Sequence, residues 1–416
     1  MRRAPALPLV VLVLVPAAAR AQGDPVGPEF RVNTFTPGNE FGASVSPDAL
    51  GNFVVVWQSA SQDGSLTGIF GQRYAASGTP LGPEFRVNTY TTSNQFTSAV
   101  ASDASGNFVA VWTSQLQDGS NFSIHGQRYA GAGAPAGPEF RVNTYTTGSQ
   151  FIPAVAAAPS GDFVVAWMSP DGSDYGIFAQ RYSSAGAPVG PEFRVSTFTI
   201  AYQATPTLAA DPTGGFVVVW ASDGQDGSSY GIFGQRYDAA GAPLGGEFRV
   251  NTYTTGTQSG PEVGGDGAGS FVVVWQSSPQ DGPGTGIFGQ RYAASGAPMG
   301  GEFRVNTYTT SDQTRPVVAL DSSGNFVVAW QSAGQDGSAN GVFAQRYDAA
   351  GAPLGAEFRV NTFVAGEQVD PAVAAAAAGH FVVVWSSDGQ DGSNYGVFGQ
   401  RYSPIVPVEL LRFGVE

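Results

Sequence analysis

The strongest pattern along the chain is a run of apolar residues, F-V-V/A-V/A-W, that returns seven times. Each run ends in tryptophan: Trp57, Trp112, Trp167, Trp220, Trp275, Trp330 and Trp385. In an extended strand, alternation puts Phe271, Val273 and Trp275 on one face and Val272 and Val274 on the other. Both faces are therefore apolar, and such a strand must be covered on two sides. Each run is followed by Q-R-Y and preceded by E-F-R-V-N/S, whose copies begin at Glu29, Glu84, Glu139, Glu192, Glu247, Glu302 and Glu357. The unit is about 55 residues long, and self-similarity at a fixed period marks a repeat architecture.

The copy from Gln258 to Thr307 predicts four strands. The first covers Pro261 to Val263 and ends at the turn Asp266-Gly267-Ala268-Gly269. The second runs from Ser270 to Gln276, the third from Gly286 to Tyr292, and the fourth from Glu302 to Asn306. Gly- and Asp-rich turns between short β-branched and aromatic runs are hairpin signals. No stretch has helical periodicity, and 57 glycines with 28 prolines oppose long helices.

A four-stranded sheet with two apolar faces needs a neighbour on each side. Seven such sheets in a ring meet that need, which predicts an all-β, seven-bladed β-propeller of antiparallel blades. A linear stack would require polar end caps, and no terminal copy is atypical in that way. The phase of the ends agrees with a ring. The repeats open on a fourth strand (Glu29 to Asn33) and stop after a third strand at Tyr402, so the N-terminal strand is expected to complete the last blade.

The D-x-x-G-N-F-V-V-V-W stretch, as at Asp48 to Trp57 and Asp321 to Trp330, resembles the first hairpin of blades in several bacterial propeller families. The whole unit, from G-x-E-F-R-V-N-T-Y-T-T-G-x-Q to G-I-F-G-Q-R-Y-D, is similar to repeats in large secreted and surface proteins of bacteria. The resemblance covers residues 27 to 402 and implies architecture and location. It implies no mechanism: the Asp-box spacing of sialidases and the WD dipeptide are absent, and the double glycine of kelch blades is not repeated.

The ends frame this domain. Residues 1–21 carry Arg2 and Arg3, an apolar run from Leu7 to Val15, and Ala19-Arg20-Ala21, the order of a cleavable secretory signal. Residues 22–402 form the propeller. Residues 403–416 leave the repeat, and Leu411, Phe413 and Val415 alternate there as in a strand. The expected location is outside the cytoplasm: extracellular, at the cell surface or in the periplasm. There is no cysteine, so stability rests on packing rather than disulfides. There is no lysine either, and the formal net charge is −14. An acidic surface without basic clusters excludes nucleic acid and anionic membrane as partners. Glycans, extracellular proteins and divalent cations remain, with the chain expected to be a monomer.

Candidate chemistry falls in two repeated loops, expected to share one face of the ring. The Q-D-G loops carry an acid in every blade; two acids approach each other only at Asp223 with Asp226 and at Asp388 with Asp391, where Ca²⁺ is the ion such oxygens would hold. The competing reading is an Asx turn closed by the following glycine. In the second loop an amide stands just before each inner strand: Gln95, Gln150, Gln203, Gln258, Gln313 and Gln368, with Glu40 in the first copy. These seven are expected either to ring the channel mouth as ligand contacts or to satisfy loop backbone groups. The recurrent arginines and the E-F-R glutamates are expected to pair between strands or blades.

An active site needs asymmetry, so residues that break the repeat matter most. They are His125, His380, a two-residue deletion before Asp171, Tyr202, Glu262, Arg315, Glu367 and Asp370. The two histidines stand in different contexts and form no metal pair or triad by sequence. Glu40 and Glu367 belong to adjacent blade entrances and offer one acid/base pair. The chain therefore reads as a secreted, non-enzymatic scaffold, multivalent for glycan or protein. The alternatives are an extracellular carbohydrate-active hydrolase or lyase with carboxylates at the channel mouth, and a purely structural spacer.

Overall fold

The computed structural model describes residues 24–282 and 284–404; the leader reading of residues 1–21 and the strand reading of the tail lie outside them. Seven four-stranded antiparallel sheets follow one another in a ring. Blades 1 to 6 span residues 40–86, 95–141, 151–194, 203–249, 257–304 and 313–359, and blade 7 joins residues 368–402 to 30–31. The closing pairs are Phe30 with Gly399 and Arg31 with Phe398. No helix among the described residues is long and apolar enough to cross a membrane.

The two apolar faces of each second strand are used as their pattern requires. Trp275, Phe271 and Val273 of blade 5 pack on Val217, Val219 and Ile232 of blade 4. At the seam, Trp57, Phe53 and Val55 of blade 1 pack on Val382, Val384 and Val397 of blade 7 in the same manner. All seven tryptophans are fully buried. Burying such side chains is worth about 2–3 kcal/mol each, so the seven interfaces are the main source of stability.

Polar groups bind blade to blade, but not by the expected Arg–Glu pairing. Glu84 accepts from Thr34 N (2.6 Å) and Thr34 Oγ1 (2.9 Å) of the preceding connection and from Gln62 of its own blade. Arg73 donates to the carbonyls of Ala132 (2.7 Å) and Gly131 (2.6 Å) in the next blade's outer turn. The fork of the guanidinium matches two turn carbonyls, and it fits because the turn residue is glycine: a Cβ on Gly133 would lie 2.6 Å from Arg73 Nη1. At the seam Glu29 holds Thr362 and Arg401 holds Ala76 O (2.7 Å), so closure repeats the internal contacts.

Two strand limits differ from expectation. The fourth strand of blade 5 is only Phe303–Arg304. Asn306 ends it by accepting the Ile287 N–H on its side chain (2.6 Å), replacing a ladder bond. The first strand of that blade is longer, Thr257–Gly265, because it continues through a bulge between Ser259 and Glu262.

Candidate functional site at the channel mouth

The same bulge occurs in every inner strand, close to the end that carries the Q-D-G and T-T-G-x-Q loops. Each bulge places one residue in the left-handed region: Gly42 (φ 62°), Thr97 (48°), Ile152 (54°), Thr205 (47°), Gly260 (56°), Arg315 (54°) and Asp370 (52°). Glycine is the residue this geometry favours, and blades 1 and 5 supply it. The other five blades hold side chains there at a cost of order 1 kcal/mol or more each, highest for β-branched threonine and isoleucine. Strain kept in five of seven copies marks the bulge ring as a place where side chains are wanted.

Arg315 and Asp370, on adjacent blades, form an ion pair across this ring. The Arg315 backbone N–H donates to Gln276 Oε1 (3.0 Å), which fixes the strand, while the side chain is 62 % exposed. Around the pair opens a cleft of about 480 Å³ between blades 6, 7 and 1, lined also by Phe41, Gln331, Glu367 and Tyr395. Glu367 is oriented by Asn340 Nδ2 (2.7 Å) of the neighbouring blade. Burial, and then the charges of Glu367 and Asp388, push the Tyr395 phenol above its ordinary value. The cleft thus offers two carboxylates, one guanidinium, the amides of Gln331 and Asn39, a phenol and an aromatic face.

Glu40 and the six glutamines do not reach this surface. All seven side chains are completely buried. In blade 2, Gln95 Oε1 accepts from Asn88 Nδ2 (3.3 Å) and its amide donates to Thr92 O (3.0 Å); the glutamines of blades 3 to 7 each repeat the donation to a loop carbonyl, and Gln150, Gln258, Gln313 and Gln368 also repeat the acceptance. They anchor the loops at the channel mouth. Glu40 accepts from Ser59 Oγ (3.1 Å) and Asn33 Nδ2 (3.3 Å), and burial raises its pKa to about 7. Covered in this way, Glu40 cannot share a substrate with Glu367, and the acid/base pair read from sequence is corrected.

Two of the four acids weighed for Ca²⁺ have protein partners for their carboxylates. Asp226 Oδ1 accepts from Ser228 N (3.2 Å) and Asp391 Oδ1 from Ser393 N (3.1 Å), the bonds of Asx turns. Asp223 and Asp388 close the second strands of blades 4 and 7. Among the described residues no three His, Cys, Asp or Glu side chains gather as a metal site.

Two other irregular groups lie away from the cleft. In blade 2, Ser123 Oγ is 3.1 Å from His125 Nε2, and His125 Nδ1 is 3.8 Å from Glu139 Oε1. Burial holds His125 down at about 4, and with Ser123 fully covered no substrate reaches this line of groups. Glu262 stands alone on the inner strand of blade 5, with Thr207 Oγ1 donating to it (2.9 Å) and burial raising its pKa to about 7.

Sequence reading had flagged Arg315, Glu367 and Asp370 separately; the ring brings them together. It missed Phe41 and Tyr395, whose signal was a comparison of the same position across copies. No protein-family model matches the chain, and no curated protein matches its sequence. Among solved structures, the chain is similar to a protein of unknown function from Dyadobacter fermentans (9% identity, TM-score 0.55, covering 92% of this chain and 99% of that one). It is also similar to the polysaccharide lyase Uly1 (9% identity, TM-score 0.53, 92% and 100%). A third is the α-L-arabinofuranosidase Arb93A from Fusarium graminearum (10% identity, TM-score 0.50, 91% and 99%). At these identities what is shared is the β-propeller fold.

Proposed function

We propose that this chain is a secreted, non-catalytic propeller that binds saccharide in the cleft between blades 6, 7 and 1. The observation that carries the reading is the strained Arg315–Asp370 pair at the edge of that cleft. Polar groups that donate and accept, set beside the rings of Phe41 and Tyr395, suit a ligand with hydroxyls on its edges and C–H groups on its faces. Two proteins that share the fold are named for action on saccharides, which selects the first ligands to try. The secretory-signal pattern read in residues 1–21 is the reason for placing this chain outside the cell.

Binding is favoured over hydrolysis because of where the proton-holding acids are. A general acid at neutral pH needs a raised pKa within reach of the glycosidic oxygen. Two carboxyls that burial pushes up to about 7, Glu40 and Glu262, are respectively buried beneath a loop and outside the cleft. The test is calorimetric titration with a panel of neutral and acidic polysaccharides, with product analysis alongside. Saturable binding without turnover supports the proposal. Turnover that disappears in Glu367→Gln would replace it by the hydrolase or lyase reading, and no binding anywhere on the panel would sink both.

A further inference from the structure

We infer that the ligand is a neutral polysaccharide chain, laid along an aromatic arc that starts in the cleft and follows one half of the channel mouth. The inference rests on the cleft binding saccharide and extends it to a second contact region. Two repeat positions stand at the mouth: the residue after the buried amide or Glu40, and the residue that opens the third strand. In blades 5 and 6 these positions hold Ser259, Thr285, Thr314 and Asn340. In the other direction from the cleft the chain places a ring in every blade. Tyr395 and Phe41 lie in the cleft; Phe96 and Phe122 follow in blade 2, Phe151 and Tyr175 in blade 3, and Tyr230 in blade 4.

Rings touch within blades 2 and 3 and between blade 3 and the loop that leads into blade 4. Centroid separations are 5.4 Å for Phe96–Phe122, 5.1 Å for Phe151–Tyr175 and 5.5 Å for Tyr175–Tyr202, all edge-on. Each ring is half-buried and keeps part of its surface at the mouth. Fold maintenance does not require them, because blades 5 and 6 fold with serine, threonine and asparagine at the same positions. Aromatic residues at these positions in five successive blades, and in neither of the other two, are an asymmetry that packing alone leaves unexplained.

The far end of the arc, across the ring from the cleft, is specially built. Blade 3 lacks two residues before Asp171, and Ser196 stands where five other blades have asparagine and blade 7 uses Asn33. Ser196 Oγ still accepts from Ile177 N (3.1 Å), but the amide donor is gone. Arg194 replaces it, donating to Asp171 Oδ2 (2.6 Å) and Phe198 O (3.2 Å) and so tying both loops together. The tied loop sets Tyr202 on Tyr175, with Asp174 near Tyr202 and Tyr230, and Asp223 near Tyr230. Rings with acceptors at their rim match sugar faces and hydroxyls. Acids at both ends outnumber Arg315, so a neutral chain fits and a polyanion is repelled.

The experiment is a length series, from disaccharide to decasaccharide, of arabino- and xylo-oligosaccharides, titrated against the full chain. Affinity is expected to rise with length in the wild type. Tyr202→Ala should leave the disaccharide unchanged and weaken the longest chains about tenfold, the effect of losing one ring contact and its share of avidity. Tyr202→Phe should retain the length dependence, and Tyr175→Ala should reproduce the loss if Tyr202→Ala perturbs its loop. Asp370→Ala should weaken every length. A length dependence that is flat in the wild type, or intact in both alanine variants, overturns the arc and leaves the cleft reading standing. Failure of every length to bind the wild type removes the cleft reading and the arc with it. Tighter binding of a uronate series overturns the neutral class.

Discussion

Glu40→Gln offers the sharpest physical test, because six of seven blades already carry the answer. Glu40 is the one carboxyl in a buried position elsewhere occupied by glutamine, and burial raises its pKa to about 7 from an ordinary 4.5. A raised native pKa means that the folded state holds the proton more tightly than the unfolded state. Stability attached to this group is therefore fully present below pH 4.5, declines as pH rises, and is lost above about 7. The shift of about 2.5 units corresponds to roughly 3 kcal/mol, an upper figure because water and loop relaxation soften the penalty. Glutamine has the same shape, no charge, and a donor for the loop carbonyl that glutamate meets only when protonated. The variant should unfold like the wild type at pH 4 and resist denaturant by about 2–3 kcal/mol more at pH 8. For a chain of this size that is a rise in Tm of roughly 3 °C. Equal stability at pH 8, or a gain that is the same at both pH values, would refute the reasoning.

Four further outcomes follow from the same structure. His125, held down at about 4 by burial, prefers its neutral form in the fold, so stability should fall as pH drops from 6.5 towards 4; His125→Phe restores the residue of the other blades and should flatten that limb of a pH–denaturation series. Trp330→Ala removes a fully buried side chain and should cost about 3–5 kcal/mol by chemical denaturation, with no change in saccharide affinity. Arg315→Gly relieves a left-handed backbone at the price of an exposed ion pair; it should leave stability unchanged or raise it by about 1 kcal/mol while saccharide binding falls. A chain lacking residues 22–35 loses the strand that pairs Phe30 with Gly399, and its melting should drop by roughly 10 °C or more and broaden; an unchanged, cooperative transition would mean that this strand does not hold the ring shut.

The frame of the molecule was legible because its cause is local. F-V-V-V-W is apolar on both faces in every copy, and only a ring satisfies fourteen such faces with fourteen partners. The phase of Glu29 to Asn33 against Tyr402 located the seam for the same reason. Strand limits were less legible where side chains replace backbone bonds, as Asn306 does for Ile287. The inner strands began too late in the sequence reading because a bulge interrupts alternation. Nothing in Thr97, Ile152 or Arg315 announces a left-handed backbone; a glycine at the matching position of blades 1 and 5 was the available sign. The arginines of Q-R-Y were assigned to glutamates because charge is visible in sequence, whereas turn carbonyls two blades' edges apart are not. At the mouth, seven equivalent amides drew attention by repetition, yet repetition signified burial. Residues that face the cleft, such as Phe41, Arg315, Asp370 and Tyr395, stand at positions that vary from blade to blade.

That distinction between repeated frame and differing mouth is the central claim, and one variant tests it most directly. Phe41→Ser, Arg315→Gly, Asp370→Gly and Tyr395→Thr together give the cleft the residues that blade 5 already carries at those positions. Titration of this variant and the wild type with the polysaccharide panel, after matching their melting curves, is the measurement. A folded variant of equal or higher Tm that no longer binds saccharide is the predicted result. A folded variant that binds as the wild type does would contradict the account.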